Sequence, residues 1–427
     1  MHTADAGAID AALNYIHSQK TRIDEAAATQ RQVWEGGQPD VQPLLLTNGA
    51  PFPLRAGGAY IIVPAYDPKA VHYNSEKMFA SELSGALRAV AGGMQAVPSV
   101  RANMGCGIYA AFFGITQDLF EDKMPWVQQH LCKDAINRMG PDDLSFTDEF
   151  KTGLEHMDYM AENLKGTGCG IYPLDLQGPF DLAHLVYGDA IFYDLYDDPE
   201  FVRHLLELSC EAIFKCMDEC LKHIPDADTE IRHYNNLAMP RGKGGIKISE
   251  DTSTLLSGEH IREFAAPYTE RVLERYGGGY IHYCGKNENL YRAVMDMPLA
   301  YGINFGNPDM HDMPGVLREC ARNGKIYYGA IPEPEGENTT EYFRKCVSSA
   351  YLNGKIHLLL MYTYSPRDGG TASCGTGGGS VVGGVGGGMD GGSVVGGVGG
   401  VGGVSECDGI ERIKEAWAAA CRYVCEK

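Results

Sequence analysis

Apolar positions along the chain follow two alternating periods, and the alternation predicts an α/β fold. Phe79, Leu83 and Leu87 recur at helical spacing within 75–91, which predicts one buried helix face. A longer helical pattern over 201–223 follows Asp198-Pro199-Glu200, a sequence typical of a helix start. Further helices are predicted over 9–16 and 259–275, the latter ending at three glycines. Short apolar runs that predict strands lie at 60–66, 96–100, 170–176, 231–237, 280–283, 301–305, 325–331 and 355–362.

Repeated strand–helix units favour a parallel sheet covered by helices. About seven or eight such units fit a (β/α)8 TIM barrel, although periodicity alone does not separate a closed barrel from an open sheet. We predict an N-terminal helical and extended segment over 1–95, packed on a barrel that occupies 96–427. A glycine-rich loop over 375–404 precedes the last helix of that barrel, for which Asp408 is the predicted N-cap.

The glycine-rich loop has a composition unlike the rest of the chain. It contains 17 glycines in 30 positions, and the decapeptide GGSVVGGVGG occurs at 378–387 and again at 391–400. These repeats lack side chains to bury, so they do not predict a solenoid. A natural flexible tether and an artefact of the sequence both remain open.

Composition and charge narrow the class of protein. Hydrophobic residues make up 44% and charged residues 22% of the 427 positions, which is typical of a soluble globular protein. The formal charge of −20 argues against nucleic acid and anionic membranes as partners, because both attract basic surfaces. Neither a secretory signal nor a long apolar run is evident, and the 13 cysteines do not form a compact framework. We therefore expect a cytoplasmic protein with reduced thiols.

The strand predicted over 280–283 carries the sharpest candidate chemistry. His282 and Cys284 are two positions apart, so an extended backbone places both side chains on one face. Imidazole and thiolate are ligands that zinc prefers. A buried core histidine beside a buried thiol is the alternative interpretation. At the carboxyl end of a barrel strand, such a pair would face the active-site mouth.

Other polar residues follow the predicted strands, where a barrel gathers its functional groups. We assign candidate catalytic roles to Asp175, Tyr234 and Asn235. Candidate substrate-binding residues are Arg101, Asn103, Gln177 and Asn304. No dinucleotide fingerprint, nucleophilic serine elbow or phosphate-binding loop is present in the sequence.

Four motifs, in this order, resemble the uroporphyrinogen decarboxylase superfamily. They are Asp175-Leu-Gln-Gly-Pro-Phe-Asp-Leu-Ala, Asp198-Pro-Glu before a long helix, Ser249-Glu-Asp-Thr-Ser-Thr-Leu-Leu-Ser with Phe264 to Arg271, and His282-Tyr-Cys-Gly. The resemblance covers about 96–362. It implies a (β/α)8 barrel with its active site at the carboxyl ends of the strands.

Two chemistries occur in that superfamily, and the sequence resembles one of them more. True decarboxylases carry an arginine-containing run near the N-terminus, whereas the corresponding segment here, Val97-Pro-Ser-Val-Arg-Ala-Asn-Met-Gly, has a single arginine. The zinc-dependent methyltransferases carry His-x-Cys at a strand end, which His282 and Cys284 match, and a further cysteine after a later strand. Cys374 is the candidate for that third ligand, with Asp309 or Glu333 as alternatives.

The resemblance implies a methyl transfer between a corrinoid protein and a thiol, with zinc as the metal. A corrinoid-carrying partner protein and a small thiol substrate are then expected, and a homodimer is compatible with exposed barrel helices. The alternatives are a uroporphyrinogen decarboxylase and a non-catalytic barrel that binds a corrinoid or porphyrin.

Overall fold

Six parallel strands form the main sheet of the molecule. The computed structural model describes residues 3–56, 58–233, 235–365 and 406–426. We number the parallel strands in chain order as β1 Leu44–Asn48, β2 Ser99–Arg101, β3 Gly170–Tyr172, β4 Ile246–Ser249, β5 Gly279–Tyr283, β6 Ala300–Phe305, β7 Ile326–Gly329 and β8 Leu358–Tyr364. The order across the sheet is β1-β8-β7-β6-β5-β4.

The remaining two parallel strands, β2 and β3, pair with each other beside this sheet. A single parallel bridge between Gln177 and Ser249 links the segment after β3 to β4. Within the described ranges no ladder joins β1 to β2; helix Ser75–Gly92 contacts both strands. The predicted mixed α/β fold with a parallel sheet is confirmed, whereas the described residues form no closed ring of eight strands, and that ring stays a prediction.

Helices cover the outer face of the sheet. The helices predicted over 9–16, 75–91 and 201–223 are confirmed, and 259–275 folds as three consecutive helical segments. The α-helices span Thr3–Ser18, Lys20–Trp34, Pro68–Val71, Ser75–Gly92, Lys133–Ile136, Asp148–Asn163, Pro179–Tyr187, Ile191–Asp197, Pro199–Lys222, Gly258–His260, Ala266–Tyr276, Glu288–Asp296, Met313–Arg322, Thr339–Ala350 and Glu406–Cys425, with a π-helical turn at Ile261–Ala265. None of these helices is long and apolar enough to cross a membrane.

Local sequence signals account for several helix ends. Asp198 accepts a hydrogen bond from the Phe201 amide at 3.2 Å, and Gly277 ends a helix in the left-handed conformation with φ of 80°. The predicted cap at Asp408 is wrong, because the last helix already begins at Glu406 and Asp408 lies inside its first turn. The glycine-rich loop lies outside the described residues.

Successive side chains of a strand point to opposite faces of the sheet, so they belong to two different apolar clusters. Leu44 and Leu46 belong to the large core between sheet and helices. Leu45 instead joins a smaller cluster on the inner face, with Tyr280 of β5 and Tyr328 of β7. His282, two residues after Tyr280, therefore lies on the same inner face, closer to the carboxyl end of β5.

One predicted strand is an antiparallel hairpin instead. The run over 231–237 folds as Glu230–His233 paired with Leu237–Pro240. His233 Nε2 donates to the Gly245 carbonyl at 2.9 Å, immediately before β4, and the Val97 amide donates to the Asn236 carbonyl at 3.0 Å. The hairpin therefore lies at the amino ends of the parallel strands.

The N-terminal region contributes a strand that the sequence pattern did not predict. Leu44–Asn48 pairs in parallel with β8, so part of the segment before residue 95 belongs to the main sheet. The division of the chain at residue 95 stays a prediction. The strand predicted over 60–66 is shorter, at Ala59–Ile61, and ends before Pro64, which has no amide hydrogen to donate.

Short elements complete the connections. The remaining strands are Leu54–Ala56, Gln117–Asp118, Trp126–Val127, Tyr351–Leu352 and Lys355–Ile356. The 3-10 helices are Ile108–Phe113, Pro141–Asp143, Gly188–Ala190, Arg241–Lys243, Thr252–Leu255 and Pro308–Met310.

Candidate metal centre

Three potential metal ligands meet at the carboxyl ends of β4 and β5. One ligand atom from each of Asp251, His282 and Cys284 lies within 4.8 Å of the others. His282 Nε2 is 3.7 Å from Cys284 Sγ and 3.9 Å from Asp251 Oδ1. A nitrogen, a sulfur and an oxygen donor thus face a common point.

The register of the sheet explains why these residues meet. Ser249 pairs with His282, and the Glu250 amide donates to the His282 carbonyl at 2.8 Å. Asp251 follows directly and accepts a hydrogen bond from the Cys284 amide at 2.5 Å through Oδ1. Each ligand therefore sits on or next to a strand end that the hydrogen-bonded backbone holds in place.

Two buried carboxylates, Asp181 and Glu250, support the loop that carries Asp251. Asp181, at the start of helix Pro179–Tyr187, accepts the amides of Asp251 at 2.8 Å and Thr252 at 2.7 Å. Glu250 accepts the Ser253 hydroxyl at 2.6 Å and also that of Thr269. Burial, with the nearby carboxylates, raises the pKa of Asp181 well above its usual value and that of Glu250 to about 7.

Burial affects the two side-chain donors at the end of β5 differently: it favours a neutral His282 imidazole, which suits a cation, and a protonated Cys284 thiol, which does not. Burial lowers the pKa of His282, so the imidazole is neutral and able to donate a nitrogen lone pair. Burial and the Asp251 carboxylate raise the pKa of the Cys284 thiol to about 12. A divalent cation at this site would stabilise the Cys284 thiolate, and so would counteract the increase in the thiol pKa that burial and Asp251 cause.

The space around Cys284 is shaped for its sulfur atom. A Cβ on Gly306 would lie 2.4 Å from Cys284 Sγ, so only glycine leaves room for the thiol at this position. The donors N, S and O are those that zinc takes in proteins, and catalytic zinc sites keep three protein ligands. The residues present therefore fit a zinc ion.

Charged residues line the inner face beside the three ligands. Lys247 Nζ lies 3.1 Å from Asp175 Oδ1, both side chains are buried, and the Tyr172 hydroxyl donates to the same oxygen at 3.2 Å. Although burial opposes ionisation, the charges of Lys247 and Arg101 keep the pKa of Asp175 below its usual value. The charges of Lys247 and Asp175 also act on His282.

Most of the predicted site residues lie at this end of the sheet. Arg101, at the end of β2, lies 4.0 Å from the Glu82 carboxylate, which also interacts with Asn103. Gln177 is buried and bridges to Ser249. Asn304 of β6 contacts His282 directly.

Other predicted residues lie elsewhere. Asn235 is in the turn of the hairpin at the amino ends of the strands, opposite the metal centre, so its predicted catalytic role is not supported by its position. Asp309 is exposed, and Glu333 accepts hydrogen bonds from Tyr362 and Thr339; within the described part of the chain neither joins the three ligands. Cys374 and Tyr234 lie outside the described residues.

Asp251 and Lys247 were missed by sequence reasoning. Asp251 follows β4 by two residues, but the sequence pattern predicts no strand over 246–249, so the strand-end signal that selected Asp175 is absent for Asp251. Lys247 was missed because a lysine inside a buried strand gives no sign of its partner, which is 72 positions away.

The fold of this chain is similar to those of known protein structures. A methyltransferase from Methanosarcina mazei superposes with a TM-score of 0.53 and 14% sequence identity, over 79% of this chain and 92% of that one. At this identity the likeness shows a shared fold. The sequence matches no protein-family model and no curated protein.

Proposed function

We propose that this protein is a methyltransferase that holds zinc through Asp251, His282 and Cys284 and methylates a thiol. The observation that carries the proposal is the group of three converging donors at the carboxyl ends of β4 and β5. The fold shared with a solved methyltransferase supports the reaction class. In this proposal Asp251 takes the ligand position that the sequence suggested for Cys374.

Zinc at this position would supply the Lewis acidity that holds a substrate thiol as a thiolate at neutral pH. When ionised, Asp251 and Cys284 together balance the two positive charges of the ion. A substrate thiolate would then add the excess negative charge, which keeps its sulfur nucleophilic. Asp251, His282 and Cys284 would hold the ion as three protein ligands, the number that catalytic zinc sites use.

The proposed methyl donor is a methylcorrinoid on a partner protein. A sulfur–carbon bond forms as the cobalt–carbon bond breaks, the bonding electron pair remains on cobalt, and the thiol proton leaves to solvent. The chain's own task is to bind and orient the thiol beside Asp175 and Lys247, whose buried ion pair lines the same inner face.

Metal analysis combined with a methyl-transfer assay tests the proposal. We expect about one zinc per chain in the wild type, and loss of both zinc and methylcobalamin:thiol methyl transfer in Asp251→Ala, His282→Ala and Cys284→Ala. Cys132→Ala, which alters an exposed cysteine outside the site, is the matched control and should retain both.

The proposal fails if the wild type binds no zinc, or if the three variants hold as much zinc as the control. Conversion of uroporphyrinogen to coproporphyrinogen by the zinc-free protein would support the decarboxylase alternative instead.

A further inference from the structure

Asn304 forms a direct link between His282 and the neighbouring strand β7. Its Oδ1 is in short hydrogen-bond contact with His282 Nδ1, and its Nδ2 donates to the Tyr328 carbonyl at 2.5 Å. A carbonyl oxygen only accepts hydrogen bonds, so the contact with Tyr328 fixes which end of the amide is nitrogen. The amide oxygen must therefore face His282.

This orientation determines where the imidazole proton lies. Because Asn304 Oδ1 accepts, His282 Nδ1 must carry the hydrogen. In the neutral ring Nε2 then holds the free lone pair, and Nε2 is the atom 3.7 Å from Cys284 Sγ and 3.9 Å from Asp251 Oδ1. The lone pair thus faces the other two ligands.

The backbone of β7 leaves space for this amide at a glycine. A Cβ on Gly329, whose φ is 151°, would lie 2.5 Å from Asn304 Nδ2. Asn304 is also in register with His282 between β6 and β5. The neighbouring strands and Gly329 therefore fix the position of the Asn304 amide, and the amide in turn fixes the orientation of the His282 ring.

We propose that Asn304 is a positioning residue that holds His282 in the Nδ1–H tautomer for metal binding. Its place at the end of a predicted strand suggests substrate binding instead. The hydrogen-bond partner of a metal-bound histidine typically contributes a factor of about 10–100 to metal affinity. For its zinc-binding consequence this inference rests on the proposed function, whereas the tautomer it assigns belongs to the metal-free protein.

The first test is nitrogen NMR of histidine-labelled, metal-free protein, with His282→Gln used to assign the signal. We expect wild-type His282 to carry its proton on Nδ1. In Asn304→Leu, which has similar volume but no acceptor, we expect the Nε2–H form to appear, because nothing holds the proton on Nδ1. An Nε2–H tautomer in the wild type overturns the inference, and this result does not require Asn304→Leu to fold.

The second test is zinc affinity, measured by competition with a chromophoric chelator. We expect Asn304→Leu to weaken zinc binding by about 10–100-fold. The control Asn163→Leu, which removes an exposed amide bonded to the Tyr159 carbonyl, should leave the affinity unchanged.

The outcomes separate the two proposals. If the wild type binds zinc and Asn304→Leu binds it equally well with an unchanged tautomer, the inference fails and the proposed function stands. If the wild type binds no zinc, the proposed function fails, and the tautomer measurement alone decides the role of Asn304.

Discussion

The inner face of the parallel sheet has a different composition at each end. Toward the amino ends of the strands, aromatic and aliphatic side chains such as Tyr280 and Tyr328 pack against Leu237 and Met239 of the hairpin. At the carboxyl ends, polar groups replace them. On β5 only one residue separates Tyr280 from His282, so a single strand contributes to both regions. A residue that stabilises the fold and a residue that could bind a metal can therefore lie on the same face of one strand, with a single residue between them.

Substitutions at the two inward positions of β5 should affect different properties, stability at Tyr280 and zinc binding at His282, and we expect the largest effects here. Tyr280→Ala removes a buried ring and should lower the free energy of unfolding by about 3–5 kcal/mol. His282→Ala should abolish zinc binding while changing stability much less, because its side chain lies at the polar end. Chemical denaturation and zinc analysis of the two variants provide the check. Equal losses of stability would show that the two ends are not distinct.

Gly306→Ala tests the polar end without removing a ligand. The new methyl group would meet Cys284 Sγ, and overpacking of this kind typically lowers stability by about 1–3 kcal/mol. We also expect weaker zinc binding, because the thiol must move. A matched Gly85→Ala variant, with no atom within 4 Å of the added Cβ, should show neither effect. Unchanged zinc affinity in Gly306→Ala would contradict the tight fit of the thiol.

The amino end should be sensitive to acid through His233. Burial lowers the pKa of His233 to about 3, and the Lys247 charge acts in the same direction. The folded-state pKa lies below the unfolded value near 6.5, so this contribution is fully present above about pH 6.5 and declines as the pH falls toward 3. At pH 5 the loss amounts to about 2 kcal/mol.

His233→Gln should remove that dependence. Its amide retains a donor for the Gly245 carbonyl, which His233 Nε2 reaches at 2.9 Å, but it does not titrate. Denaturant unfolding of both proteins at pH 8 and pH 5 measures the difference. A variant that loses as much stability as the wild type between these pH values would exclude His233 as the cause.

The smallest effect is expected on the outer surface, which serves as the baseline for both ends. Arg292 and Glu288 form an exposed pair at 3.0 Å, one helical turn apart. Arg292→Ala should change the free energy of unfolding by no more than about 0.5 kcal/mol and leave zinc binding intact. A loss above about 1 kcal/mol would show that stability is not concentrated on the inner face.

Local signals predicted much of the fold and two of the three candidate metal ligands. Helix patterns located Ser75–Gly92 and Pro199–Lys222, the latter with its cap at Asp198, but not Lys20–Trp34 or Asp148–Asn163. The His-x-Cys spacing placed two ligands on one face because strand geometry is local. Asp251 was missed because its proximity to His282 depends on the pairing of β4 with β5. Asn235 was predicted at the wrong end, because its run forms a hairpin instead of a parallel strand.

The first strand of the sheet has a consequence for synthesis of the chain. β1 pairs with β8, so Leu44 meets Leu360, and the Trp417 indole donates to the Gln42 carbonyl at 2.8 Å. At typical translation rates of about 5–20 residues per second, β1 leaves the ribosome tens of seconds before its strand partner exists. Helix Ser75–Gly92, which contacts β1, emerges much earlier. During that interval this helix is native cover for the face of β1 that carries Leu44 and Leu46, whereas the hydrogen-bonding edge of the strand stays unpaired until β8 is made.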